Sequence, residues 1–301
     1  MNTKKRLYGG AVYGATALSA AVIIGAVACI MGTIIVGGAP SITWEFLTAS
    51  PSQGMTEGGI FPAIVGTFLL VIIMSIAGVP VGTVTAIFLH EYVSNKSVLT
   101  KIIRFAVNTL AGIPAIVFGL FGLGFFVQFV GAGMDKALMP AGTVRWAQPN
   151  LLWASLTMAI LTLPVVIVSV EEAIRNVPKE YREASLALGA TRWETIRKIV
   201  LPNSIGGILT GAILAVSRGA GEVAPILFTG AAYFLPRLPG SLSDQFMELG
   251  YHVYIMSTQS PDVDQTKGIQ YATTLVLLLL TFTLNFTAIF VRYRMRKRIM
   301  Q

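Results

Sequence analysis

The sequence predicts an all-α polytopic membrane protein of six transmembrane helices. Three observations carry that reading. Of 301 residues, 54% are hydrophobic and only 12% charged, with mean hydropathy +0.72. A soluble domain carries about 25% charged residues, and a water-facing surface needs polar groups to cover it. The apolar residues form six runs near the ~20-residue length that crosses a bilayer. The basic residues gather on one side of those runs. A membrane β-barrel would alternate apolar and polar residues over ~10-residue segments, and no such pattern is present.

The first run, about 11–37, is longer than the ~7–15-residue core of a secretory signal. The Ala26-Val27-Ala28-Cys29 stretch therefore reads as part of an uncleaved span with a packed thiol. Cys29 is the single cysteine, which excludes an intrachain disulfide framework and any multi-cysteine metal site. The second run, 61–89, carries Pro62 and Pro80 and leads to His90-Glu91, an interfacial span end without the second histidine of a zinc helix. The third covers 102–131 with Pro114, and the fourth 151–170 with Pro164. Such prolines kink helices and shape cavities; most of them read as packing features. The fifth, 205–228, holds two full charges, Arg218 and Glu222. The sixth, 271–291, contains Asn285-Phe286-Thr287, whose sequon spelling inside a span is a coincidence.

A net charge of +8 suggests nucleic acid only until the charges are placed. If the spans alternate, 17 of 22 basic residues share one side. They are Lys4, Lys5 and Arg6, the loop cations Lys96, Lys101 and Arg104, six between Arg175 and Lys198, and five between Arg292 and Arg298. Four lie on the other side, and Arg218 lies within a span. The positive-inside rule then places both termini and the 171–204 loop in the cytoplasm. The basicity is an orientation signal, and no nucleic acid is expected as a partner. The outer segments 38–59, 132–150 and 229–270 carry Trp44, Trp146, Tyr233, Tyr251 and Tyr254, which suit an interfacial aromatic belt. His252 stands alone among them.

The 171–204 loop reads as two short helices. Pro178 sits where a first turn starts, with Glu180 and Glu183 toward its positive dipole end. Gly189 is the stop. A second, amphipathic piece starts near Thr191, whose spacing to Glu194 is that of a capping box, and ends at Pro202. Small residues Ala184, Ser185, Ala187 and Gly189 permit close backbone approach. Arg182, Glu183 and Arg192 are expected to fix register at a wet interface.

In the fifth span, Arg218 and Glu222 are four residues apart, so on a helix their side chains can meet. They share a face with Gly207, Gly211 and Ala215, a small-residue stripe that lets helix backbones approach. A charge at bilayer depth costs about 3 kcal/mol on insertion scales, and is paired or functional. One reading is a structural ion pair. The other is a substrate-path arginine restrained by its carboxylate, since guanidinium suits phosphate-like oxyanions. An intramembrane protease needs a second membrane carboxylate, which is missing. No phosphate-binding loop of the Gly-x4-Gly-Lys-Ser/Thr type occurs, so any ATP hydrolysis falls to another subunit.

Glu183-Ala184-Ser185, three residues, Gly189, nine residues and Ile199-Val200-Leu201-Pro202 resemble the EAA signature of ABC importer permeases, with Ser185 where Ala is usual. The resemblance implies a MetI-like type I core over residues 61–295. A peripheral helix and external segment, 1–60, precede it, and a basic tail, 296–301, follows. It implies that the Gly189 segment docks on an ATP-binding subunit. Gly112-Ile113-Pro114, Glu171-Glu172-Ala173-Ile174-Arg175-Asn176-Val177-Pro178 and Arg218-Gly219-Ala220-Gly221-Glu222 are similar to the Pst-type phosphate permeases, with Val223 where Thr is usual. Length, compact start and the 229–270 segment resemble the PstA branch more than PstC. The implied assembly is a PstC-like partner permease, two PstB-like ATPases that hydrolyse ATP-Mg, and an external PstS-like phosphate-binding protein. Arg218 and Glu222 would then contact phosphate, and this chain would bind no cofactor or metal itself. Sulfate or molybdate is the alternative cargo. A channel or exchanger is the more distant alternative, and it would have no reason to carry the EAA-like loop.

Overall fold

A computed structural model of the chain describes residues 3–53, 57–93, 97–140, 142–260 and 263–299. Lys96, Asp262 and the last two residues of the basic tail lie outside the described residues. Six helices are long and apolar enough to cross a membrane: Tyr8–Ser41, Phe61–Tyr92, Ala115–Leu138, Leu151–Arg175, Arg192–Gly219 and Thr266–Met295.

Helix α1, Thr3–Gly38, stands apart. It touches α13, Val263–Ile299, only near its own end, where Gly37 and Gly38 lie against Tyr271. Cys29 is exposed on it, so the expected packed thiol is not found within this chain. The short α2, Trp44–Thr48, and the two-residue strands β1, Pro51–Ser52, and β2, Glu57–Gly58, lead to α3, Phe61–Ile87. A wider π turn, Phe88–Tyr92, extends α3 past the expected end.

The third span differs from its expected bounds. Residues 102–112 belong to a separate amphipathic helix, α4, Val98–Gly112. Ile113 breaks the chain with ψ 133°, because a residue preceding proline is pushed out of the helical region. Pro114 then starts α5, Ala115–Phe121, which passes through a π segment, Gly122–Gly131, into α6, Ala132–Leu138. Helix α7, Leu151–Arg175, runs five residues beyond the expected 170. The amides of Trp146 and Ala147 donate to Asp135 at 2.9 and 2.8 Å, which fixes the loop before α7.

After α7 come α8, Lys179–Ala187, and α9, Arg192–Thr195. The amphipathic piece does not end at Pro202. It continues through a π turn, Ile196–Val200, into α10, Leu201–Gly219, as one helix. The wide turn immediately precedes Pro202, and such bulges let a helix carry a proline that lacks an N–H. The fifth span therefore begins and ends earlier than 205–228. The short α11, Ile226–Thr229, and α12, Leu249–Thr258, precede α13.

Helix α7 is the centre. It packs between α3 and α10, and α13 covers the other side of α10. One buried cluster joins Leu70, Met74, Phe118, Met158 and Phe246. A second, toward the basic end, joins Ile87, Val107, Val166, Val170 and Val200. The predicted stripe on α10 faces α7. A Cβ on Gly207 would collide with Ala173, and one on Gly211 would press on Ser169 at 3.3 Å. Small residues thus set the α7–α10 spacing.

Candidate functional site

Arg218 lies in the last turn of α10 and Glu222 in the turn that follows. Glu222 is therefore not on the helix face where ideal geometry puts it. Gly219, Ala220 and Gly221 unwind the chain, and the Glu222 amide donates to the Gly219 carbonyl at 3.4 Å. The two side chains still meet: Arg218 Nε is 3.8 Å from Glu222 Oε1. That exceeds a hydrogen bond. Among the described residues Arg218 makes no other polar contact. Its fork of donors stays available, with a carboxylate close enough to temper its charge.

Four helices hold this turn in place. Gly219 is buried against Met74 of α3, with Met158 of α7 beyond. The α5 backbone comes so close that a Cβ on Gly119 would lie 3.0 Å from the carbonyls of Ala224 and Pro225. On the third side, the Ser217 hydroxyl donates to Asn285 Oδ1 of α13 at 2.9 Å. The charged side chains are about one-third exposed. They face neither the packed core nor open solvent.

The EAA-like residues come together at the basic end. Gly189 has φ +82°, a left-handed conformation that favours glycine. Its amide donates to the Leu186 carbonyl at 3.0 Å and that of Ala190 to the Ser185 carbonyl at 3.2 Å, a Schellman stop. The capping box forms as expected: the Glu194 amide donates to Thr191 Oγ1 at 3.2 Å and the Thr191 amide to Glu194 Oε2 at 2.9 Å. A hydrogen bond of 2.9 Å between the hydroxyls of Ser185 and Thr195 ties the two short helices together. Ala184, Ser185 and Ile199 line a shallow apolar groove with Tyr181, Leu188 and Ala190. Glu183 is exposed, and Leu201 and Pro202 sit half-buried at the start of α10.

Arg182 departs from its expected role at a wet interface. It is turned inward, bonds Glu91 at 3.0 Å, and donates to the carbonyls of Ile174 and Val177. It caps the end of α7 and braces α8 against the end of the second span. A matching strut joins Arg104 of α4 to buried Glu171 of α7 through two hydrogen bonds, one of them 3.2 Å. The sequence reading places Glu91 at an interfacial span end and Glu171 in a stretch similar to the Pst-type permeases, but it foresees neither of these ion pairs. A carboxylate beside the end of a span, with an arginine in the next cytoplasmic segment, is the signal that could have found them. Glu248 and His252, in the segment opposite the basic end, were not recognised as buried either. Glu248 caps α12 by accepting from the Gly250 and Tyr251 amides. Burial pushes its carboxyl up to about 7 against those hydrogen bonds, and burial pulls the His252 imidazole down to about 4. Both His252 ring nitrogens lack a partner among the described residues.

Comparison with known proteins gives consistent matches. A family model described as "Binding-protein-dependent transport system inner membrane component" matches residues 78–301. A probable ABC transporter permease protein, YqgI of Bacillus subtilis (strain 168), is 33% identical over 83% of this chain and 84% of its own length. A phosphate transport system permease protein PstA of Mycobacterium leprae (strain TN) is 34% identical over 66% of this chain. The match spans 61% of that relative's length. In fold, the chain is similar to one in the crystal structure of a bacterial alginate ABC transporter bound to its alginate-loaded periplasmic protein. There the TM-score is 0.65 at 16% identity, covering 98% of this chain and 97% of that one.

Proposed function

The chain belongs to the family of binding-protein-dependent transport system inner membrane components, and from that premise we propose that it forms, with a partner permease, the path by which an ATP-driven importer passes inorganic phosphate. It is a multi-pass membrane protein and a transport subunit, not itself an enzyme.

One observation carries the substrate reading. Arg218 presents unconsumed guanidinium donors at the end of α10, and Glu222 stands 3.8 Å away. A cation alone in a low-dielectric path would trap an oxyanion; a carboxylate beside it weakens the hold and favours release. Arg218 is thus the group that receives phosphate, and Glu222 the one that lets it go. The similarity to a PstA protein supports phosphate over sulfate or molybdate.

The remaining parts follow the same proposal. Both termini and the 171–204 loop face the cytoplasm, supported by the 17-to-4 split of basic residues. The groove around Ala184, Ser185 and Gly189 receives one of two PstB-like ATPases, which hold and hydrolyse ATP-Mg. A PstC-like permease completes the path, and a PstS-like binding protein delivers phosphate from outside.

The test is uptake of radiolabelled phosphate, sulfate and molybdate into vesicles holding the full complex. Phosphate is expected to accumulate with ATP, and Arg218→Gln to lower that uptake at least 100-fold while the subunits still co-purify. Equal uptake by the variant would remove Arg218 from the path. Preferred uptake of sulfate or molybdate would replace the substrate.

A further inference from the structure

The polar character of α10 does not stop at Arg218. Ser217 meets Asn285, and about 10 Å further toward the basic end, at ~1.5 Å per residue, Thr210 accepts a hydrogen bond of 2.9 Å from Arg292 Nη1. Arg292 opens into a cleft of about 660 Å³ between the ends of α7, α10 and α13. Asn176, Asn203 and Tyr293 also line it, with the bare backbone of Gly206. Among the described residues no carboxylate lines the cleft, and Arg292 makes no ion pair and no hydrogen bond beyond that to Thr210.

An uncompensated guanidinium beside two amides and a phenol is built for a tetrahedral oxyanion. Arg supplies paired donors for two oxygens, and the Asn176 amide, the hydroxyl and the second N–H of Asn203, whose Nδ2 already donates to the Ile199 carbonyl at 2.7 Å, can serve the others. The EAA-like motif and the mid-membrane pair leave this cleft unused. We propose that it binds a phosphate group through Arg292, Asn176 and Asn203, and that this group is the translocated anion on its way out past Arg218. The inference deepens the phosphate reading and rests on it. A phospholipid headgroup presents the same chemistry at this depth and is the other possible source.

The experiment uses the full complex with wild-type, Arg292→Gln and Arg292→Lys chains. It is reconstituted in phosphatidylcholine, with or without one part in three of phosphatidylglycerol. Two quantities are measured: the initial rate of phosphate uptake, and the phosphatidylglycerol retained on the purified complex by native mass spectrometry. A translocation station predicts about a tenfold lower maximal rate for Arg292→Gln in both lipids, an unchanged external half-saturation, and partial rescue by lysine. Lipid retention would stay unchanged. If the glutamine variant loses lipid and slows only in phosphatidylglycerol, the cleft holds a headgroup and the translocation role is overturned. Unchanged rates together with unchanged lipid retention would overturn the site altogether. If wild type carries another oxyanion, the phosphate reading alone falls. The same variant comparison, run with that oxyanion, then decides the cleft.

Discussion

At the scale of single residues, the charges divide by what surrounds them. Arg182 and Arg104 are braces whose partners Glu91 and Glu171 are nearly buried. Removing one partner leaves an uncompensated charge; the cost is about 3–5 kcal/mol for a buried pair, and it is smaller at Arg104, whose side chain is 37% exposed. Arg218 and Arg292 keep donors unspent among the described residues, and on that ground we propose them as groups for a mobile anion. Glu248 and His252 are a third kind, two buried groups displaced in opposite directions. The folded carboxyl titrates near 7 instead of its ordinary 4.5, so its contribution is full below 4.5 and falls as pH rises toward 7. The folded imidazole titrates near 4 instead of 6.5, so its contribution is full above 6.5 and falls as pH drops toward 4. Between about 4.5 and 6.5 the two slopes oppose each other, and thermal stability should be nearly flat. Glu248→Gln should expose the histidine alone, with stability rising by about 3 kcal/mol from pH 4 to 6.5. His252→Leu should expose the glutamate, with stability falling from pH 4.5 to 7. Melting temperatures of the purified protein across that range check both, and two flat profiles would refute the assignment.

At the scale of elements, helix ends decide what each helix can do. Helix α8 stops at a glycine with φ +82°, which sets the angle at which the chain leaves α8, beside the groove that α8 forms with Ile199 and Asn203. A β-branched residue there is strained by about 1–2 kcal/mol. Gly189→Val is therefore expected to twist the short helix rather than unfold the chain. The complex should lose most of the ATP hydrolysis that is coupled to uptake, with the six spans intact by circular dichroism. Coupled hydrolysis at the wild-type rate would show that the groove is not the docking surface. The end of α10 is the corresponding decision in the membrane. By unwinding at Gly219 it takes Glu222 off the helix, and the pair becomes a loose contact instead of a closed salt bridge.

At the scale of the whole molecule, five spans form a bundle around α7 and the first stands outside it. From Tyr8 to Ile30 every side chain of helix α1 is exposed within this chain. Cys29, the sole cysteine, sits on that surface. It reports directly on what covers α1. A membrane-permeant maleimide should label it quickly in the separately purified chain and at least tenfold more slowly in the full complex. Equal labelling would mean that α1 faces lipid and not the partner permease.

Much of this was legible in the residues alone. Composition and run length determined an all-α membrane protein with six spans, since the bilayer's thickness and its lack of hydrogen-bonding partners leave little choice. The capping box at Thr191 and the stop at Gly189 were also local, because one turn of backbone satisfies them. What only the tertiary structure decided were the features that depend on a second helix. Sequence hydropathy sums residues regardless of break, so it merged 102–112 with the third span and carried the fifth past Gly219. It could count Arg182 as a surface charge, because nothing in the loop says that Glu91, some ninety positions earlier, waits beneath it. The availability of Arg218 and Arg292 is likewise a tertiary fact. An arginine's charge is written in the sequence, but whether its donors are already spent depends on which side chains the fold brings within about 3 Å.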